Sequence, residues 1–268
     1  MKISCYIVDA FAGEVFRGNP AAVCPLQSWL PDATLQNIAA ENNLSETAFI
    51  IPRGDAFELR WFTPAVEMDL CGHATLAAAF VLFTEQQFSG NEIRFHSRSG
   101  ILTVARDGEI LTLDFPSRPP QPCGMPDALV HGLGCQPKQV FKSRDYLAVF
   151  DTVEEVRSLK PDFAALKTLD CLGIIVTAPG VDCDFVSRFF APAAGVDEDP
   201  VTGSAHCTLI PYWAQRLGKN KLFARQISRR GGELFCELSG DRVRIGGKAV
   251  LYLRGEIVLD DALTVHEK

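Results

Sequence analysis

The sequence predicts an α+β protein built from two similar domains, each a sheet wrapped around one central apolar helix. Three observations carry this. Strand-like runs bounded by turn residues are many, and helical runs are few. The run from Ala74 to Phe83 has Thr75 as its one polar residue. A helix without a wet face must be buried on every side, and a surrounding sheet is the simple way to do that. Finally, a string of features recurs: "RWFTPAVEMDLCGHATLAAAF" starts at Arg60, and "RFFAPAAGVDEDPVTGSAHCTLI" starts at Arg188. Both read Arg, two aromatics, a small residue, Pro, Ala, an acidic stretch, then a glycine opening a helix. Pro64 and Pro192 are 128 positions apart and Gly72 and Gly203 are 131 apart, so the second copy carries three extra residues. A repeat of this length implies two related domains rather than a solenoid.

The elements follow in order. "KISCYIVDAF" reads as a strand, and "GNPAAVCPL" joins a turn to another. "PDATLQNIAAENN" reads as a helix, with Pro31 and Asp32 at its start and Asn43 as a left-handed stop. "ETAFIIP" and "FELRWFTP" are strands, and a helix follows from Gly72 to about Gln86. "EIRFHSRSGILTVARDGEILTLDFP" is a meander with turns at Ser99-Gly100 and Asp107-Gly108. "PSRPPQPCGMP" is the most linker-like segment and places a boundary between domains 1–118 and 119–268, with the last strand free to cross back. Beyond it, strands are expected near 146–150, 172–178 and 183–190, and a helix near 161–169. A helix starts at Gly203, and a β-rich tail closes the chain. Pro211 is expected to kink the second central helix.

Composition narrows the function. The chain of 268 residues is 47% hydrophobic with a formal charge of −7. No basic stripe is present, which argues against nucleic acid. No apolar run reaches membrane-spanning length, and the start has no secretory pattern. The nine cysteines are odd in number and never spaced C-x-x-C. That pattern suits a reduced, cytoplasmic protein whose cysteines are mostly small core residues.

The two Gly-opened helices are the candidate sites. The first N–H groups of a helix lack intrahelical partners, and with the helix dipole they attract anions. Gly72 and Gly203 let a ligand approach the backbone, so a small anionic ligand, most simply a carboxylate, is expected. Aligning the glycines sets His73 opposite Ser204 and Cys71 opposite Thr202. Asp199 precedes Pro200 at the second mouth, where its bland role is helix capping. His73 and Asp199 at mirrored mouths favour a functional reading. Glu46, in "LSETAFIIP", could serve acid–base work beside a buried strand, but read from the residues alone it is better taken as an exposed edge residue. A zinc site from Cys71, His73, His206 and Cys207 has poor ligand spacing. Cys71 and His73 are expected to point apart from a helix start, which argues against a Cys–His hydrolase.

"FRGNPAAV", "NLSETAF", "FTPAVEMDLCGHAT", "FFAP" and "DEDPVTGSAH" together resemble the phenazine-biosynthesis PhzF-like family, a distant relative of diaminopimelate epimerase. The resemblance implies β-barrel-like sheets around each central helix, an active site between the domains, a homodimer and no cofactor or metal. It implies Glu46 as general acid/base, with Asp199 and His73 beside it. It also implies that Gly72, His73, Gly203 and Ser204 bind a substrate carboxylate. The related epimerases use one cysteine per domain, whereas here the second mouth offers none, so a two-thiol racemase is disfavoured. Gln226 is followed by Ile227 rather than the glycine of the phenazine enzyme, which weakens transfer of the exact substrate. Arg229 and Arg230 read as a turn, with the alternative that one of them meets an anionic substrate. The function expected is a cofactor-independent isomerase of a small carboxylate. The alternative is a non-catalytic anion-binding or interaction protein on the same scaffold.

Overall fold

The computed structural model describes residues 1–260. In chain order the elements are β1 (Lys2–Ala10), β2 (Asn19–Pro25), α1 (Asp32–Asn42), β3 (Glu46–Arg53), β4 (Ala56–Phe62), β5 (Glu67–Met68), α2 (Gly72–Thr84), β6 (Glu92–Ser97), β7 (Gly100–Asp107) and β8 (Ile110–Pro116). They continue as β9 (Gln121–Pro122), α3 (Asp127–Leu133), β10 (Gln139–Lys142), β11 (Tyr146–Val149), α4 (Val153–Ser158), α5 (Phe163–Leu166), β12 (Ile174–Pro179) and β13 (Phe185–Phe190). A 3-10 turn at Pro192–Ala194 precedes α6 (Gly203–Leu217), β14 (Lys221–Gln226), β15 (Gly232–Ser239), β16 (Arg242–Gly247) and β17 (Ala249–Val258). The fold is α+β, with many strands and few helices. The chain divides into two compact units: Met1–Asp114 together with the chain from Gly246 onward, and Phe115–Ile245.

In the first unit β1 pairs antiparallel with both β17 and β2. β2 runs parallel to β3, and β3 antiparallel to β4. β4 continues parallel to β6, which begins the meander through β7 to β8. Helix α2 packs on β1, β2, β3, β7 and β17, strands from opposite ends of this sheet. Leu76, Ala77, Ala78, Ala79 and Val81 are wholly buried. The sheet therefore wraps the helix, which satisfies the all-round apolar surface of "ATLAAAFVLF". On the other face of the sheet, α1 packs Leu35, Ile38 and Ala39 against Ala22, Cys24 and Phe49. Asn43 ends α1 in the left-handed region at φ 48°, as its sequence signal indicated.

The second unit repeats the plan. β10 and β11 are antiparallel, β11 and β12 parallel, β12 and β13 antiparallel. β13 is then parallel to β14, and β14 antiparallel to β15. Each of these relations matches one in the first unit. Central α6 buries Ala205, Leu209, Ile210 and Trp213, with Trp213 stacked on Phe185 at 5.6 Å and its Nε1 donating to Thr177 Oγ1. Pro211 lies inside α6.

Sequence reading and structure part in the outer helices. The helix expected at 161–169 is α5, four residues long, with Asp162 capping Ala164 and Ala165. Helices α3 and α4 were not anticipated. α4 carries a capping box between Thr152 and Glu155, a signal present in "TVEE" but too short in apolar period to stand out. Together these three helices cover the outer core around Leu129, Val156 and Leu166.

Candidate active site

The first helix mouth is assembled by strand register. Ala21 of β2 lies opposite Glu46 of β3, so the two side chains share a sheet face. Asn19, two residues before Ala21, points to that face as well. The same face carries α2, so Asn19 and Glu46 both reach its first turn. Gly18 delivers Asn19 to this position. Its φ is 64°, and a Cβ there would stand 2.1 Å from the Ala10 carbonyl oxygen, so only glycine fits.

At this mouth His73 is 5% exposed. Its Nε2 lies 3.1 Å from Glu46 Oε2, and its Nδ1 lies 3.2 Å from Asn19 Nδ2 and 3.6 Å from Cys71 Sγ. The expected separation of Cys71 and His73 is therefore incorrect. Cys71 is not in the helix but in the extended residue before it, at φ −142°, which turns its sulfur back toward the ring. Glu46 is not an exposed edge residue either, since its side chain is 15% accessible.

Burial pushes the Cys71 thiol up to about 11, helped by the Glu46 charge and only partly offset by His73 and the Ala74 amide. It is a protonated thiol at neutral pH, and not an activated nucleophile. Burial by itself would depress the His73 ring, but the charges and hydrogen bonds of Cys71 and Glu46 outweigh it and raise its pKa well above the ordinary range.

Glu46, Cys71 and His73 are the one grouping among the described residues with three donors close enough to consider for a metal, all within 4.8 Å. They fit poorly. Cys71 faces Nδ1 and Glu46 faces Nε2, so no single ring nitrogen brings both to one ion, and the thiol would first have to lose a tightly held proton. The four-residue zinc set considered from the sequence does not form. His206 Nδ1 donates to the Thr202 carbonyl at 2.8 Å, and the Cys207 sulfur turns toward the Gly203 carbonyl.

The second mouth is held by a different network. Thr202 donates its hydroxyl to Asp199 Oδ2 at 2.5 Å. Gln226, 1% exposed, accepts from the Thr202 amide at 2.9 Å and donates to the Asp199 carbonyl at 2.7 Å. The Asp199 amide donates to Phe189 O. Ser204 Oγ accepts from Arg144 Nη2 at 3.1 Å, and that guanidinium grips the buried carboxylate of Asp145. Neither α2 nor α6 has a side-chain hydrogen bond from its N-cap residue. Arg229 and Arg230 lie in the bend before Gly231, whose amide donates to Ser228 Oγ.

Two arginine–glutamate forks brace the mouths. Arg60 binds Glu67 through Nε and Nη2 at 2.7 and 2.8 Å. Arg188 binds Glu198 through the same atoms at 2.7 and 3.0 Å. These arginines are the first residues of the two repeated strings. Sequence reasoning recorded their recurrence without assigning the pairing, and missed Asn19, Arg144 and Gln226.

The repeat is not symmetric where it matters. Measured along β2–β3 and β11–β12, the position matching Glu46 is Ile174; measured along β3–β4 and β12–β13 it is Gly173. Neither is an acid.

The phenazine biosynthesis-like protein family matches residues 8–255. The chain belongs to that family. It is 54% identical to an uncharacterised isomerase of Pseudomonas aeruginosa, over 97% of this chain and 100% of the relative. A crystal structure of a PhzF-family phenazine biosynthesis protein from Enterococcus faecalis is 51% identical, with a TM-score of 0.95 over 97% of this chain and 100% of that one. A hydroxyproline epimerase from Agrobacterium vitis, 12% identical, shares the fold with a TM-score of 0.62 over 98% of this chain and 94% of that one. The family is one of isomerase-type enzymes of epimerase-like fold. Among the described residues no helix is long and apolar enough to cross a membrane.

Proposed function

We propose that this PhzF-family protein is a cofactor-independent isomerase that relocates a proton on a small carboxylate. The contact between Glu46 and His73 at the α2 mouth, with no acid at the matching position of the second unit, carries this reading. A single carboxylate then both removes and returns the proton. Glu46 takes hydrogen from a carbon conjugated to the substrate carboxylate, breaking C–H and forming O–H. The electron pair left behind delocalises toward that carboxylate. Glu46 then gives the proton to a different carbon of the same molecule, so nothing is gained or lost.

In this reading the amides of Gly72 and His73 hold the substrate carboxylate and stabilise the charge that develops on it. In the second unit, the α6 mouth with Gly203, Ser204 and Asp199 is read as a further anion-binding point. The protein acts in the cytoplasm as a homodimer, which the family resemblance supports.

The test is incubation with small unsaturated and cyclic carboxylates in D₂O, followed by mass and NMR analysis of carbon-bound deuterium. Glu46→Gln keeps the shape and a hydrogen-bond acceptor for His73 but cannot carry the proton. It is expected to lose turnover by a factor of about 10² or more while retaining ligand-induced stabilisation. Unchanged exchange in Glu46→Gln would remove Glu46 from the mechanism. Carboxylate binding by the wild type without any exchange would make the protein an anion binder.

A further inference from the structure

We propose that Asn19 is a positioning residue that, in the neutral form of the His73 ring, fixes the proton on Nε2, facing Glu46. This inference rests on the reading of Glu46 and His73 as the acid–base pair. His73 is buried, and the two sides of its ring meet different chemistry. On one side the Glu46 carboxylate, 3.1 Å from Nε2, can only accept when ionised. On the other side Asn19 Nδ2, 3.2 Å from Nδ1, carries two N–H donors. The Cys71 thiol, 3.6 Å from the same nitrogen, is a second and weaker donor. Donors converging on Nδ1 require a lone pair there, and an acceptor at Nε2 requires a hydrogen. Only one neutral tautomer satisfies both.

Asn19 is well placed to impose that choice. It is completely buried, and it starts β2 directly after the obligatory Gly18. Within β2 its neighbour Ala21 is in register with Glu46. The strand that aims the amide at Nδ1 is therefore paired with the strand that aims the carboxylate at Nε2. The consequence is that the N–H of the neutral ring lies on the side of Glu46, 3.1 Å from its carboxylate.

The experiment is long-range ¹H–¹⁵N correlation on the full chain labelled with ¹⁵N-histidine, read on the high-pH side of the ring's titration. The His73 signals are assigned by their loss in His73→Gln. The wild type is expected to show a protonated Nε2 and a bare Nδ1. Asn19→Asp keeps the size but offers only acceptors, so Nδ1 is expected to gain a proton. Asn19→Leu removes the donor, and the preference for Nε2–H is expected to relax toward a mixture. Cys71→Ala is expected to leave the assignment as in the wild type. A protonated Nδ1 in the wild type, a bare Nδ1 in Asn19→Asp, an unchanged spectrum in Asn19→Leu or a moved proton in Cys71→Ala would each overturn the proposal. If Asn19→Asp fails to fold by circular dichroism, Asn19→Leu decides. None of these readings uses turnover. Absence of carbon–deuterium exchange would sink the isomerase reading and leave the tautomer assignment standing, and the reverse also holds.

Discussion

Replacing Arg188 by methionine separates the two arginine–glutamate forks energetically, although they look alike. Arg188 and Glu198 side chains are 11% and 22% accessible. Beyond the fork, Arg188 Nη1 donates to the carbonyls of Val156 and Leu159 at 3.0 and 3.1 Å, closing the end of α4. Methionine keeps an apolar stem but removes every donor, along with the guanidinium carbon that lies 4.9 Å from the Phe190 ring centroid. Glu198 is then left half-enclosed without its cation, and breaking such a pair costs about 3–5 kcal/mol. The same change at Arg60 is milder. Glu67 keeps Arg98 Nη2 at 2.7 Å, and the other partner, Asp32, is 74% accessible and loses little. Arg60→Met is therefore expected to cost about 1–2 kcal/mol. Urea unfolding followed by tryptophan emission measures both, with Trp213 reporting on the second unit and Trp29 and Trp61 on the first. Adding Glu198→Leu to Arg188→Met is expected to restore part of the loss, because the orphaned charge goes with it. A loss below about 1 kcal/mol for Arg188→Met, or an equal loss for Arg60→Met, would refute the reasoning.

Two further outcomes are expected. His206 is buried with its pKa depressed to about 4, so between that value and the ordinary 6.5 the unfolded chain binds a proton that the folded one does not. Stability should therefore fall by about 3 kcal/mol as pH drops through this window, and His206→Gln should flatten that part of a pH series of urea midpoints. His73 has the opposite sign: its contribution is present below the ordinary imidazole pKa and is lost only as pH rises through its raised value. Gly18→Ala meets both a φ of 64° and a backbone oxygen, and should lower the thermal midpoint more than Gly54→Ala, where φ is 60° but nothing lies within 4 Å of the new methyl.

The parts of the fold that were legible in the sequence are those written in one stretch of chain. "ATLAAAFVLF" announces a buried helix because every position but Thr75 is apolar, and the recurrence of Arg60 and Arg188 announces the repeat. Asn43 announces the end of α1. The short helices α3, α4 and α5 were harder, because seven, six and four residues give too few turns for a periodic signal. Within the candidate site, His73 and Asp199 could be picked out because they flank glycine-opened helices. Asn19 could not, since its contact spans 54 positions and depends on which strand pairs with which. Gln226 is similar: its hold on Thr202 and Asp199 comes from the end of β14, and nothing local marks it.

Gly173 also bears on the history of the molecule. A side chain grafted there would run into the Phe189 ring, with a Cβ 2.2 Å from Cζ, and Ile174 beside it is 1% exposed. A carboxylate cannot be placed in the second unit by one substitution, because Phe189 would have to shrink first and the core around Ile174 would have to admit a charge. The intermediate steps are each destabilising. With Glu46 as the acid–base group proposed above, the difference between the two units acts as a ratchet. Drift can widen it, and only coordinated change at two or more sites could undo it.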